Sequence, residues 1–388
     1  MKSERIFIEG LGLVEGHFSG IGQYILGMLR GFDELIDEAK RNQEPHPEIF
    51  VVIPYNTINR FNEFGFKHLR AKKLPISFNL LNAGWVTGTL PPIDVFCGKG
   101  HYIFTRFVRM PLAFSSSSQI IYDLSFELYP QFGDEPNVLF LSRGTKDSVE
   151  KADRVFAISE NSKKEIMDFY GLSDKEVTVG YPAVDQKHFF KRTDEEITRA
   201  KKRYGVEGDY IIALSNLEPR KNLSALVQAY CSLPKSITDK LGLFIVGVNG
   251  WKIDELFDEI IAKVEEGYNI MRPSEFVLDA DKPAIISGAK MIVYPSHYEG
   301  FGIPPVEALA CGVPAIVANN SSLPEAVGKV GHLIDESNIE EIAAKITEVY
   351  ENWDEESERV ATAGPEHAAQ FSWKQTAQNF LDAIQESN

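Results

Sequence analysis

At 388 residues the chain has room for two or three domains of ordinary size, and its 44% hydrophobic and 11% aromatic content excludes a disordered polypeptide. Forty basic against 56 acidic residues give a net charge of −16, which forces no basic face for nucleic acid but still permits a local basic patch for phosphates. Cys97, Cys231 and Cys311 are too widely spaced for a disulfide framework or a CxxC metal site, so a reducing, cytosolic setting fits. The charged start Met1–Arg5 leads into the apolar run Ile6–Ile8, too short for a secretory core region. No stretch approaches the roughly 18 apolar residues of a bilayer span. The sequence therefore reads as soluble, or at most peripheral to a membrane.

In chain order, Ile6–Ile8 reads as a buried strand, followed by a glycine loop through Gly10, Gly12 and Gly16 to Gly22, then a helix from about Ile21 to Lys40. Further strands are expected at Ile49–Ile53, Ile120–Tyr122, Val155–Ile158 and Val177–Val179, with helices at Ser142–Ala152 and Glu160–Tyr170. The charged segment Lys187–Arg203 lies between two halves, with the linker near Pro182–Phe190. The second half repeats the scheme. Tyr210–Leu214, Leu243–Val246, Ile292–Tyr294 and Ala315–Val317 read as strands, Asn222–Leu233 and Pro305–Ala310 as helices. Two acidic helical stretches, Ile339–Trp353 and Trp373–Glu386, close the chain. Such alternation predicts an α/β fold with parallel sheets covered by helices on both faces. Ligands of these sheets bind beyond the carboxyl ends of the strands, so a cleft between two such sheets is the expected active site.

The densest chemical signal runs from Tyr294 to Pro314. Gly300 and Gly302 let backbone approach a ligand closely, and Pro304 or Pro305 suits the first turn of a helix. A helix start aims N–H groups and a positive dipole end at an anion, for which a nucleotide diphosphate is a natural occupant. Glu299 and Glu307, with seven residues between them, offer carboxylates that accept hydrogen bonds from sugar or ribose hydroxyls. Alone, the pair reads first as a solvated glutamate and a favourable helix-dipole partner, and it is the surrounding glycines and prolines that shift the reading. A second signal, Leu214 to Asn222, places Arg220 and Lys221 in a strand-to-helix loop. Cations near a helix start oppose its dipole, so their position calls for a reason, and neutralising a diphosphate leaving group supplies one.

These segments resemble the retaining glycosyltransferases of sequence family four. Glu299-Gly300-Phe301-Gly302-Ile303-Pro304 with Glu307 matches the family's E-x7-E signature, and Glu218-Pro219-Arg220-Lys221-Asn222 its E-P-R-K-N loop. Gly247 to Trp251 is similar to its glycine–tryptophan turn, Ser321 to Glu325 to its S-S-L-P-E segment, and Ser19 to Tyr24 to its first glycine loop. Ala152 to Arg154 and Ser159 to Ser162 resemble the end of its first domain. The resemblance implies a GT-B fold: two Rossmann-like domains facing each other across a cleft. Residues 1–185 would bind the acceptor, 186–370 the nucleotide-sugar donor, and the 371–388 helix would cross back to the first domain.

It further implies hexosyl transfer from a nucleoside-diphosphate sugar, with retention of anomeric configuration, in cell-surface polysaccharide synthesis. The sugar nucleotide is a co-substrate and no cofactor or metal is needed; no D-x-D stands where a metal-bound diphosphate would need one. GDP-mannose is the first donor to test, because the E-P-R-K-N subgroup contains many mannosyltransferases. Glu299 would touch the donor sugar, Glu307 the ribose, and Arg220 and Lys221 the diphosphate. The amides of Gly300, Phe301, Gly302 and Ile303 would assist, together with Gly20, Gly22, Ser215 and Asn216.

One position departs from the family. Tyr122, before Asp123, replaces the usual histidine of a His-Asp-Leu segment. Tyrosine titrates near pH 10, which leaves positioning or a changed acceptor preference rather than acid/base chemistry. His101 is the remaining acceptor-side candidate, and packing is its commoner use. The aromatic and arginine-bearing stretch His101–Phe114 reads mainly as core filling, with an anionic membrane or a lipid-linked acceptor as the other reading. An epimerase acting on sugar nucleotides and a non-catalytic sugar-nucleotide-binding partner are the competing classes.

Overall fold

The computed structural model describes residues 5–15, 20–273 and 275–386. The chain divides into two units, one made of Met1–Pro182 with Ser372–Asn388, the other of Ala183–Phe371. The breaks lie three residues before and one after those expected at 185 and 370.

In the first unit the strands are β1 (Arg5–Glu9), β2 (Glu48–Pro54), β3 (Arg70–Leu74), β4 (His101–Phe104), β5 (Ser116–Ile121), β6 (Arg154–Ala157) and β7 (Val177–Val179). All pair in parallel, in the order β3-β2-β1-β4-β5-β6-β7. In the second unit β8 (Asp209–Leu214), β9 (Leu241–Val246), β10 (Ile270–Met271), β11 (Met291–Tyr294), β12 (Ala315–Ala318) and β13 (His332–Ile334) pair in the order β10-β9-β8-β11-β12-β13. Its central strands are apolar without alternation, and Tyr210 to Ala213 and Met291 to Val293 are buried, because helices cover both faces. In each sheet the strand order reverses once, between β1 and β4 and between β8 and β11. Those switch points are where such sheets leave room for a ligand beyond the strand ends.

The last helix, Trp373–Glu386, belongs to the first unit and lies on the long Gly20–Arg41 helix. Glycine makes this possible. A Cβ on Gly27 would fall inside the Trp373 indole, and one on Gly31 would overlap the Trp373 carbonyl. A Cβ on Gly180 would enter the Phe380 ring, which stacks on Phe156 with centroids 3.8 Å apart. Thr376 donates to the Tyr181 carbonyl at 2.6 Å and Asn379 to that of Val179 at 3.1 Å, so the helix also satisfies backbone at the end of the sheet.

Several elements differ from the sequence reading. The edge strand β3 is Arg-Ala-Lys-Lys-Leu and carries no apolar run, as edge strands often do not. β4, all buried, opens the His101–Phe114 stretch that was expected to fill the core and for which no strand was expected. β10 and β13, two and three residues long, are too short to show a period. The Lys187–Arg203 segment does not stand between the units; Asp194–Tyr204 is a helix of the second, opened by a Thr193–Glu196 capping box. The Trp353–Ala368 helix, for which no helix was expected, runs through Gly364 and Pro365. There the missing side chain lets the helix pass the Leu309 carbonyl. Gly20 and Gly22 stand in the first turn of a helix rather than in a loop, and Gly16 to Ser19 lie outside the described residues.

Gly31→Ala is expected to cost about 1–3 kcal/mol, because the added methyl meets backbone rather than a movable side chain. A urea unfolding curve indistinguishable from the parent would contradict this packing.

Candidate active site

Two loops meet at the β8/β11 switch point. The first leaves β8 at Leu214. Ser215 is half-buried and Asn216 exposed, and the segment is held from the side by the loop after β9. Leu217 donates to the Val248 carbonyl at 2.9 Å and receives the Gly250 amide at 2.9 Å. A Cβ on Gly247 would overlap the Ser215 carbonyl oxygen, which is why glycine stands there. Pro219–Lys221 then forms one tight turn. Asn222 takes φ +53°, a left-handed conformation that asparagine tolerates, and starts the Leu223–Ser232 helix. That turn swings Arg220 and Lys221 back over the strand ends.

The second loop leaves β11 at Tyr294 and carries Glu299. Lys221 Nζ lies 2.6 Å from Glu299 Oε1 and 3.2 Å from the Tyr294 hydroxyl. Arg220 bridges Glu299 Oε2 at 3.2 Å and Glu218 Oε1 at 2.7 Å, and donates to the Tyr298 carbonyl at 2.8 Å. The His297 amide returns a bond to the Arg220 carbonyl at 2.9 Å. Behind Glu299 the segment after β12 acts as a clamp. Ser321 Oγ accepts the Glu299 amide at 3.0 Å, Ser322 donates to the Glu299 carbonyl at 2.7 Å, and Asn320 donates to the Ser296 carbonyl at 3.1 Å. Glu218, Lys221 and Glu299 are buried, and the four charges of the cluster cancel. Burial works to raise the Glu299 carboxyl, but Lys221 and Arg220 outweigh it and hold it down at about 2. Burial, with the neighbouring Arg220 charge, lowers the Lys221 ammonium against the pull of Glu299.

Gly302 turns the chain with φ +111°, where a Cβ would also lie 2.7 Å from Leu323, and the Ile303–Ala310 helix begins. Pro304 and Pro305 carry no N–H, so the helix start offers its free donors just ahead of them. The amides of Gly302 and Ile303 supply that role, and neither has an acceptor among the described residues. Gly300 and Phe301 are buried, Phe301 edge-on to Phe371 at 5.0 Å. Glu307, one turn into the helix, is half-buried, and its carboxylate has no hydrogen-bond or ion-pair partner among the described residues. Burial pushes it up to about 7, with Lys282 opposing and Asp279 adding to the shift. Asp279-Ala280-Asp281 has D-x-D form, but Asp279 pairs with Lys282 at 2.6 Å and Asp281 with Arg203 and Tyr204 at 2.9 and 2.7 Å.

In the first unit the acceptor-side candidates scatter. Tyr122 stands just past β5, buried, and its hydroxyl donates to the Thr105 carbonyl at 2.8 Å between the rings of Tyr24 and Phe107. Asp123 turns its carboxylate to the Ser125 amide at 2.9 Å. His101 begins β4 and so sits at the opposite end of the sheet from the switch-point crevice. It is buried between Ser116 Oγ at 2.9 Å and Ser118 Oγ at 2.7 Å, and burial lowers it to about 4. The switch point itself is occupied by Glu9, which the sequence reading passed over. Its buried carboxylate takes the amides of Thr105 at 3.1 Å and Arg106 at 3.0 Å and faces the Arg106 guanidinium at 3.6 Å. Arg106 also pairs with Glu15 and lies over the Trp85 ring at 4.7 Å. Arg109 bonds Ser117 Oγ at 3.1 Å. Both arginines of the 101–114 stretch are thus committed inside the unit.

Residues 194–367 match the family of glycosyl transferases group 1. The O-antigen chain mannosyltransferase B of Escherichia coli is 30% identical over 292 residues, which cover 74% of this chain and 73% of that protein. The chain belongs to the group 1 glycosyl transferases. The serotype-specific mannosyltransferase WbdA of Escherichia coli is 29% identical over 235 residues, but that match spans only 28% of its length. Anabaena Alr3699/HepE, solved in complex with UDP-glucose, shares the fold with a TM-score of 0.71 at 15% identity, over 98% of this chain and 99% of that one. The transferase thus has two parallel-sheet, Rossmann-like domains of GT-B type, and its loops at the β8/β11 switch point bring together Glu299, Arg220 and Lys221. Ser215, Asn216, Gly300 to Ile303 and Glu307 stand on the same loops and the helix they open. Glu218, Tyr294, Asn320, Ser321 and Ser322 complete the cluster. For Glu218 the signal was its place two residues before Arg220.

Two outcomes test this geometry in the transferase. Lys221→Met and Glu299→Gln are each expected to cost about 3 kcal/mol or more, since each leaves one buried charge unpaired. The double variant should cost at least about 1 kcal/mol less than the sum, and strict additivity in urea unfolding contradicts the pairing. Glu307 has a folded pKa above its ordinary 4.5, so its penalty on stability is absent below about 4.5 and grows as pH rises through about 7. Glu307→Gln is therefore expected to raise the melting temperature at pH 8 by about 2 °C or more, with no difference near pH 4.

Proposed function

We propose that the transferase moves a mannosyl group from GDP-mannose to a saccharide or lipid-linked saccharide acceptor in polysaccharide synthesis, with retention of anomeric configuration. The observation that carries the reading is Arg220 and Lys221 held beside Glu299, with two unpaired amides and an unpartnered carboxylate on the adjoining helix. The mannosyltransferase names of its Escherichia coli relatives support the choice of sugar. Arg220 and Lys221 would turn from Glu299 to the diphosphate, gaining charge-assisted bonds as negative charge develops on the leaving oxygen. The Gly302 and Ile303 amides would add fixed dipoles to the same oxygens. Glu299, released from its cations, would accept a hydrogen bond from a sugar hydroxyl. Glu307 would accept from the ribose hydroxyls.

With cations and amides on the donor side, the leaving phosphate oxygen takes the proton of the acceptor hydroxyl on the face from which it departs. The acceptor oxygen bonds to the anomeric carbon as the carbon–phosphate oxygen bond breaks. Tyr122, whose hydroxyl is spent on a backbone carbonyl, takes no proton in this scheme. Charge neutralisation by side chains implies turnover that survives chelation of divalent metals.

Thermal shift against GDP-, UDP- and ADP-sugars tests the donor, the true one raising the melting point most. Glu299→Ala and Lys221→Ala are each expected to lower turnover more than about tenfold. Release of nucleoside diphosphate only with acceptor present, and a product of retained configuration, complete the reading. Donor interconversion without acceptor would assign an epimerase, and no release would assign a binding module. Donor affinity should also fall as pH drops below about 7, where Glu307 takes up a proton and loses acceptor capacity.

A further inference from the structure

The buried cluster sets two carboxylates on two cations, and the carboxylates are attached differently. Glu299 reaches Arg220 and Lys221 from another loop, 79 and 78 residues away along the chain. Glu218 stands two residues before Arg220, on the same tight turn. Its Oε1 takes Arg220 Nη2 at 2.7 Å, while Nη1 of that guanidinium serves Glu299 and the Tyr298 carbonyl.

The turn is braced at both ends. The Lys221 amide donates to the Glu218 carbonyl at 3.0 Å, with Pro219 fixing the backbone between. Leu217, just before Glu218, is bonded to the loop after β9, where a Cβ on Gly250 would overlap the Leu217 carbonyl and touch Glu218. Asn222, just after Lys221, donates to the Glu336 carbonyl at 2.8 Å. Glu299 can therefore part from the cations by a side-chain movement. Glu218 cannot part from Arg220 without unmaking the turn.

Glu218 is 6% exposed and makes no ion pair except with Arg220 among the described residues. With it the empty cluster is balanced, and without it one buried positive charge is left over. On the reading that Arg220 and Lys221 seat the diphosphate, on which this inference rests, a carboxylate fixed beside them also repels their ligand. The repulsion is unequal for the two ligands that occupy the seat in turn. The diphosphate of a sugar nucleotide carries about two negative charges. Transfer leaves the acceptor's proton on the terminal phosphate, which loses it to solvent above about pH 6, so the product carries about three. Cations and amides alone would hold that product more tightly than the substrate.

We propose that Glu218 is a positioning residue that sets the release of the departing nucleoside diphosphate: it holds Arg220 in place when Glu299 lets go, and its charge loosens the more negative product relative to the sugar nucleotide. An ion pair within a turn can also serve stability alone. The two roles move nucleotide affinity in opposite directions, because a lost support weakens binding and a lost repulsion strengthens it.

Calorimetric titration of the full chain with GDP, UDP and ADP, and with GDP-mannose, UDP-glucose and ADP-glucose in the absence of acceptor, tests it. Glu218→Gln, whose amide oxygen still accepts from Arg220, is expected to bind the cognate nucleoside diphosphate about tenfold tighter or more, and its sugar nucleotide by a smaller factor. Its melting temperature without ligand should fall by about 2 °C or more, while the rise on adding nucleotide grows. Glu218→Asp, which keeps the charge on the turn, should bind both ligands within about threefold of the parent. Nucleoside diphosphate bound no tighter by Glu218→Gln, an equal gain for both ligands, or a Glu218→Asp variant that tightens as much would overturn the proposal. Lys221→Ala distinguishes this failure from that of the diphosphate seat. Weaker binding in Lys221→Ala with no gain in Glu218→Gln removes the release role alone. Unchanged binding in Lys221→Ala, or no nucleotide bound by the parent, removes the seat and the release role with it.

Discussion

The ion pair between Lys221 and Glu299 is the constraint on which the second unit's site depends. It joins the loop leaving β8 to the loop leaving β11, across the one place where that sheet reverses its strand order. Removing both charges from water is expensive, and the attraction repays it only with further bonds. Those bonds are present: Tyr294 on the ammonium, Arg220 on the second carboxylate oxygen, Glu218 on the guanidinium, and a serine clamp behind the Glu299 backbone. A well-packed apolar pair would hold the loops as firmly, so stability alone gives no reason for charges here. Their use lies in what they can exchange. Under the proposed function, two preheld cations would lose a carboxylate partner and gain a diphosphate without new desolvation, the way a site stabilises charge that appears during reaction.

How much of this was legible depended on whether a residue's role was local. The strand–helix alternation, the two chemical loops and the closing Trp373–Glu386 helix follow from apolar runs and glycine or proline punctuation, which act over a few residues. Arg220 and Lys221 were legible because cations at a helix start oppose its dipole. What escaped depended on distant partners. Nothing near Glu9 in sequence marks it, because its meaning comes from Thr105 and Arg106 in the loop after β4. His101 looked available because its shielding serines stand on the neighbouring strand β5. Gly27 and Gly31 have a reason only once Trp373 lies across them. Pro304 and Pro305 signalled a helix start correctly, with its free donors just ahead of them.

The two units use their switch points differently. In the second, the cluster leaves Glu307 and two amides unpartnered, so it presents groups that a ligand can satisfy. In the first, Glu9 and Arg106 satisfy each other and the surrounding amides, so the carboxylate acts as an internal brace for the loop after β4. Tyr122 is equally occupied by its bond to Thr105.

A crystal structure of the protein with an intact nucleoside-diphosphate sugar tests the central claim most directly. The account predicts phosphate oxygens within about 2.7–3.2 Å of Arg220 and Lys221, with the Lys221–Glu299 contact lengthened and Glu307 on the ribose. A donor bound elsewhere, with Lys221 still seated on Glu299, would contradict it.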